Sequence, residues 1–195
     1  TYVCGLRACS SLGAIEKGQE IHSQIVVKGV ECELLVANTV MDMYVKFGNL
    51  TKARRIFDNS PFKNVVLCSV MLSGYLQHEE DLLAFQLFEK MEEFDIVPDI
   101  YVFTCVLKAC GIASSLVEAK WIHCSIVRAN LEWDVAVGSS LIDVYSKCGC
   151  LEEARKVFDK LPQKNEVAWG AMLSGYNQHG QEFLALDLFQ KMLND

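Results

Sequence analysis

With 195 residues, 51% of them hydrophobic and 22% charged, the chain carries enough apolar content to bury a substantial core, which excludes an intrinsically disordered segment. Its net charge of −7 at pH 7 excludes a polyanion binder held by overall charge and leaves nucleic acid to a local positive face. No apolar run approaches the roughly 20 residues needed to span a bilayer, so no membrane partner is expected, and the odd count of nine cysteines argues for reduced thiols rather than a fully paired disulfide framework.

The chain repeats itself. The stretch YVKFGNLTKARRIFDNSP from Tyr44 to Pro61 recurs as YSKCGCLEEARKVFDKLP from Tyr145 to Pro162, an offset of 101 residues at both ends. Within that period, shorter repeats each read as an apolar-periodic helix, a break at Gly or polar residues, and a second helix. Residues 1–33 form a nearly complete first repeat, in which Cys4 and Cys9 read as core and Ile25, Val26 and Val27 share the stripe of His22. Residues 34–64 carry Val40, Met41 and Tyr44 on a first helix, break at Gly48 and Asn49, and place Leu50, Ala53, Ile56 and Phe57 on a second helix closed by Pro61. Residues 65–99 place Met71, Leu72 and Tyr75, then Ala84, Leu87, Phe88 and Met91, while residues 100–134 place Val106, Leu107 and Cys110, then Ala119, Ile122 and Ile126. Residues 135–165 return to the block around Tyr145. Residues 166–195 repeat the pattern of 65–99, with Met172, Leu173 and Tyr176, then Ala185, Leu188, Phe189 and Met192.

One helix pair of this size cannot bury both of its faces, so neighbouring pairs must stack, and the expected fold is an all-α solenoid with a concave surface. A single array over residues 1–195 is expected, with no linker and no strand.

The residue types that could carry chemistry obey the same repeat. His22 pairs with His123 and His78 with His179, dispersed rather than clustered, so they read as structural and not as metal ligands. Asp42 and Asp143 are likewise repeat positions, and Cys148 and Cys150 correspond to Phe47 and Asn49, so no site can require both thiols. No HxE with a CPxxC is present, which leaves no deaminase signature and no catalytic constellation. The aromatic rings of Phe57, Phe88, Phe158 and Phe189 fall on apolar stripes and read as core rather than as base-stacking platforms.

With lengths, order and motifs agreeing in two copies, the repeats resemble pentatricopeptide repeats of the plant P-L-S kind, in which standard, long and short variants alternate. The short-type blocks are NTVMDMYVK from Asn38 and SSLIDVYSK from Ser139, with their Gly, Ala-Arg and Phe-Asp continuations. The standard-type MLSGY begins at Met71 and Met172, and the long-type LKAC begins at Leu107 and is followed by His123. On that pattern 1–33 and 100–134 are long, 34–64 and 135–165 short, and 65–99 and 166–195 standard, the last truncated. The tetratricopeptide pattern, with its fixed period of about 34 residues, fits poorly because these lengths alternate. The resemblance implies an α-solenoid of stacked helix-turn-helix repeats forming a right-handed superhelix.

Similar proteins bind single-stranded RNA one base per repeat, and the resemblance implies that activity here, without a cofactor. It implies organellar transcripts in mitochondrion or chloroplast and a role guiding RNA processing, C-to-U editing above all. Editing accessory proteins or a large organellar complex are the further partners implied. A targeting segment ahead of Thr1 and any deaminase-like domain are expected outside this sequence. In the family the fifth residue of a repeat reads the base with the last. By that resemblance the readers are Asn38 with Asn64, Ser69 with Asp99, Thr104 with Asp134, and Ser139 with Asn165, favouring a pyrimidine, G, G weakly, and A. All are small polar residues able to donate or accept. The base-sandwiching second position falls on Leu35, Val66, Tyr101 and Val167, with Ala136 the weakest, and phosphate contacts fall to Arg7, Lys46, Lys108 and Lys147. Val3 with Glu33, and Gly170, depart from the pattern and are expected to space rather than specify. The rival expectation is a protein-binding α-solenoid scaffold within a large organellar complex, whose binding would survive changing Asn38, Ser69 and Ser139 to Ala.

Overall fold

The computed structural model describes residues 1–31, 33–61 and 63–194, and among them it contains twelve α-helices and no strand. The chain divides into two compact units, Thr1–Val97 and Pro98–Asp195. In the first lie α1 (Tyr2–Leu12), α2 (Ile15–Val27), α3 (Leu34–Lys46), α4 (Leu50–Asn59), α5 (Val65–Gln77) and α6 (Asp81–Glu93). The second holds α7 (Ile100–Ala113), α8 (Leu116–Arg128), α9 (Val135–Lys147), α10 (Leu151–Lys160), α11 (Glu166–Gln178) and α12 (Glu182–Asn194). Within each unit the first helices of successive repeats stack, α1 on α3 on α5 and α7 on α9 on α11, and each second helix packs on its own partner. Helices α3, α5, α7, α9 and α11 start at Leu34, Val65, Ile100, Val135 and Glu166, the residues that open the repeats in sequence.

Local chemistry sets these boundaries. Gly48 and Gly149 follow the first helices of the two short repeats at φ 72° and 73°, the left-handed conformation that closes a helix C-terminus without a Cβ penalty. The next residues complete the closure, Asn49 N donating to Tyr44 O and Cys150 N to Tyr145 O at 2.8 Å each. Asn49 then caps α4 by accepting from Lys52 N at 3.0 Å.

The core is formed by the apolar stripes. Phe57, Phe88 and Phe158 are fully buried, each stabilising by about 1.5–3 kcal/mol relative to exposure. Phe189 departs from that expectation at 44% exposed: α12 packs on α11, and its opposite stripe of Phe183, Leu186, Phe189 and Leu193 faces solvent. Cys4 is exposed and Cys105 half-buried, whereas Cys9 and Cys110 are buried. Five residues turn a helix by about 140° beyond a full turn, so the two cysteines of each pair cannot share one stripe. The same geometry separates Ile25, which is buried, from Val27, which is 86% exposed.

Polar clips join successive repeats and recur in both units. His22 Nδ1 and His123 Nδ1 lie 2.8 Å from the hydroxyls of Tyr44 and Tyr145 in the following repeat. Arg54 donates to Tyr75 Oη at 3.0 Å while its Nε grips both carboxylate oxygens of Asp58. Arg155 makes the same fork to Asp159 and interacts with Tyr176 of the following repeat. His78 Nε2 and His179 Nε2 donate back to the carbonyls of Val45 and Ser146 at 3.3 and 2.8 Å. The conspicuous Tyr, Ala-Arg and Phe-Asp residues of the repeated block are therefore what stacks one repeat on the next.

Candidate nucleic-acid interface

Each first helix begins with the same arrangement. The second and fifth residues of a repeat are three apart, one turn along the same face of the helix. Leu35, Val66, Tyr101 and Val167 are 59%, 49%, 49% and 64% exposed, and Ala136 is exposed as well. Other apolar side chains are exposed elsewhere, but this one recurs in register at the first turn of α3, α5, α7, α9 and α11, where the core, supplied by the other face, does not require it.

The last residue of a repeat is the N-cap of the following first helix. Asn64 Oδ1 accepts from Leu67 N, Asp99 Oδ1 from Val102 N, Asp134 Oδ1 from Ala136 N and Val137 N, and Asn165 Oδ1 from Ala168 N, all between 2.8 and 3.0 Å. The sequence signal for this, an Asn or Asp directly before an apolar run, was present but belongs to the last residues rather than to the fifth. Glu33, which departs from the reading pattern, makes no side-chain cap. Because capping takes one side-chain oxygen, the other atom is left over: an NH₂ donor on Asn64 and Asn165, a carboxylate acceptor on Asp99 and Asp134.

The fifth residues are held by their own helix. Ser69 Oγ donates to Val65 O at 2.7 Å, Thr104 Oγ1 to Tyr101 O at 2.9 Å and Ser139 Oγ to Val135 O at 2.6 Å. Ser139 is only 3% exposed, and its hydroxyl also lies 3.1 Å from Asn165 Oδ1. That pair is brought into direct contact; the hydrogen bonds of Thr104 and Asp134 run to backbone instead. Asn38 is half-buried, and its Oδ1 is shut off from solvent with no hydrogen-bond partner among the described residues, a state that costs about 1–3 kcal/mol.

The four cations fall into two classes. Lys46 and Lys147 pair with Asp42 and Asp143 one turn back, at 2.7 and 2.6 Å, which gives those aspartates their role. Arg7 and Lys108 are exposed. No group of three or more His, Cys, Asp or Glu among the described residues is placed to hold a metal ion. Burial pushes the Tyr145 hydroxyl up to about 12 and the Cys68 thiol up to about 11, and holds His22 and His123 below the ordinary 6.5. Tyr145, His22 and His123 belong to the stacking clips, and in all four groups burial disfavours the charged form. No helix among the described residues is long and apolar enough to cross a membrane.

Family models described as PPR repeat family and PPR repeat match residues 63–111 and residues 36–60, 139–166 and 167–195 respectively. Two Arabidopsis thaliana pentatricopeptide repeat-containing proteins, one named chloroplastic and one mitochondrial, are 36% identical over 95% of this chain and 39% identical over 99% of it. The chain spans 22% and 19% of their lengths. The pentatricopeptide repeat protein PPR10 from maize has the same fold, with a TM-score of 0.76 at 16% identity over 96% of this chain and 28% of its own. In its complex with an 18-nt psaJ RNA element, PPR10 matches with a TM-score of 0.81 at 22% identity, over 100% of this chain and 30% of its own. From the stacked helix pairs, the family models and the relatives, this chain belongs to the pentatricopeptide repeat family.

Proposed function

We propose that the chain binds single-stranded RNA in a plant organelle, one base per repeat, as a segment of a P-L-S protein that guides RNA processing, most specifically C-to-U editing. The observation that carries this reading is the arrangement repeated at the first turn of the first helices. There an exposed apolar side chain stands one turn before a small polar residue, beside a capping amide or carboxylate that keeps one atom free. The apolar side chains would sandwich bases, and the free cap atom would read their edges. The NH₂ of Asn165 suits the N1 acceptor of adenine. The free oxygen of Asp134 suits the N1–H and NH₂ donors of guanine. Asn38 is longer than Ser139 and leaves room opposite Asn64 for the smaller pyrimidines. The organellar names of the Arabidopsis relatives support the address, and the RNA complex of PPR10 supports the ligand class. Four readable bases cannot single out one transcript, so repeats elsewhere in a longer protein would supply the remaining specificity.

The repeat 135–165 gives the cleanest test, because Asp and Asn cap equally well. Asn165→Asp keeps the cap and the bond from Ser139 but exchanges the free donor for an acceptor. In gel shifts at low salt, with oligonucleotides varied at the base opposite this repeat, the unaltered chain should prefer adenine. Asn165→Asp should shift the preference to guanine by about tenfold, within the ~1–3 kcal/mol of one good base contact. Equal affinity for all four bases in both proteins would sink the one-base-per-repeat reading.

A further inference from the structure

A cleft of about 650 Å³ opens in the first unit between α2 and α4, with α3 as its floor. Val40 and the Tyr44 ring form its base, Val26 and Ile56 line its walls, and Lys52 and Arg55 stand along α4. Helix α2 packs on α1 and α4 packs on α3 and α5, so the two walls lean on other helices and leave a groove between them. At roughly 100° per residue, the floor residues Val40 and Tyr44 lie about a third of a turn or more around α3 from Leu35 and Asn38, and Ala37 lies just over a quarter-turn from Asn38. The cleft is therefore separate from the candidate base-reading face.

Its charge distinguishes it from the equivalent positions of the second unit. Lys52 Nζ sits 5.2 Å from the Tyr44 ring centroid, and neither Lys52 nor Arg55 makes an ion pair among the described residues. At the offset of 101 these positions are Glu153 and Lys156, which neutralise each other at 2.8 Å. On the opposite wall of the first cleft stands the carboxylate Glu31, which leaves the lining net positive in a chain whose total is −7. An apolar floor with two unneutralised cations on one rim is complementary to a ligand that is apolar on one side and carries carboxylates on the other.

We propose that this cleft is a docking groove for an acidic amphipathic helix of a partner protein. The helix lays apolar side chains on Val40, Tyr44 and Ile56 and sets its carboxylates against Lys52 and Arg55. The volume is in the range that encloses a ligand-sized set of side chains, and the two flanking helices shape it for a third. RNA suits it less well, because its backbone would lay phosphates along both walls and so against the Glu31 carboxylate, whereas an amphipathic helix can turn its carboxylates to the Lys52 and Arg55 rim alone. The proposal is independent of the base-reading face, so a chain can hold RNA and the helix together.

The test uses the whole 195-residue chain and a fluorescein-labelled amphipathic peptide of leucine, alanine and glutamate, followed by fluorescence anisotropy at low ionic strength. The expected result is saturable binding of one peptide per chain, with no competition from single-stranded RNA. Lys52→Glu/Arg55→Glu should weaken it by about tenfold or more, as two exposed attractions become repulsions. Both positions are exposed, and circular dichroism would verify that the variant folds. A peptide with lysine in place of glutamate should bind poorly. The proposal is overturned if the reversed variant binds the acidic peptide as well as the unaltered chain does, or if the lysine peptide binds equally. Displacement of the peptide by RNA or by inorganic phosphate at matched ionic strength overturns it too, as does self-association of the chain that accounts for the signal.

Discussion

The Oδ1 atoms of Asp134 and Asn165 are held by backbone N–H groups at the starts of α9 and α11, and that engagement orients whatever their second atom presents. One residue thus starts a helix and offers a polar group outward, and the two jobs can be separated by substitution. Asp134→Ala removes both and should cost ~0.5–2 kcal/mol of stability, the usual loss for a cap replaced by alanine. Asp134→Asn keeps the cap and should leave the denaturant midpoint nearly unchanged. Chemical denaturation of the two variants checks this. A midpoint for Asp134→Asn as low as that for Asp134→Ala would mean that the carboxylate charge at the positive end of α9, and not its hydrogen bonds, carries the stabilisation. Ser139 belongs to the same arrangement. At 3% exposure, its hydroxyl is held by Val135 O at 2.6 Å and lies 3.1 Å from Asn165 Oδ1, so Ser139 itself presents little to solvent.

At the scale of the helices, stacking depends on how closely first helices approach. An ideal Cβ on Gly175 of α11 would stand 2.5 Å from Ser146 Oγ and 2.7 Å from Ser146 Cβ on α9. One on Gly74 of α5 would stand 2.9 Å from Val45 Cγ2 on α3. The MLSGY motif therefore holds its glycine because the neighbouring helix occupies the space. Gly170 of the same helix α11 meets nothing within 4 Å. Alanine at the two positions should have opposite effects. Gly170→Ala gains roughly 1 kcal/mol of helix propensity. Gly175→Ala makes the same gain but incurs about 1–3 kcal/mol of overpacking, made worse because a Cβ, unlike a flexible side-chain tip, cannot swing aside. Thermal unfolding should rise for Gly170→Ala and fall for Gly175→Ala, and a rise for both would show that α9 and α11 can separate without loss.

Across the molecule, period and helix starts were readable because each repeat states them twice, in apolar spacing and in the Gly and Asn that break it. The exposure of Phe189 was not readable, since its stripe in the sequence matches that of the buried Phe88. Nor was the groove beside Lys52 and Arg55, whose walls come from helices more than twenty residues apart. The pairing of Lys46 and Lys147 with aspartates one turn back was latent in the spacing, and it bears on how so acidic a chain could hold RNA. If Arg7, Lys46, Lys108 and Lys147 all met phosphates, the plot of log affinity against log salt would fall with a slope of about −2.8, and if only Arg7 and Lys108 did, about −1.4. The ion pairs with Asp42 and Asp143 favour the shallower slope for the unaltered chain. Asp42→Asn/Asp143→Asn frees both lysines, removes two negative charges from the same helices, and should steepen the slope towards −2.8 while tightening binding. Filter binding across a salt series reads both quantities. A slope and affinity unmoved by the double substitution would remove Lys46 and Lys147 from the phosphate-contacting set and leave Arg7 and Lys108 to hold the backbone.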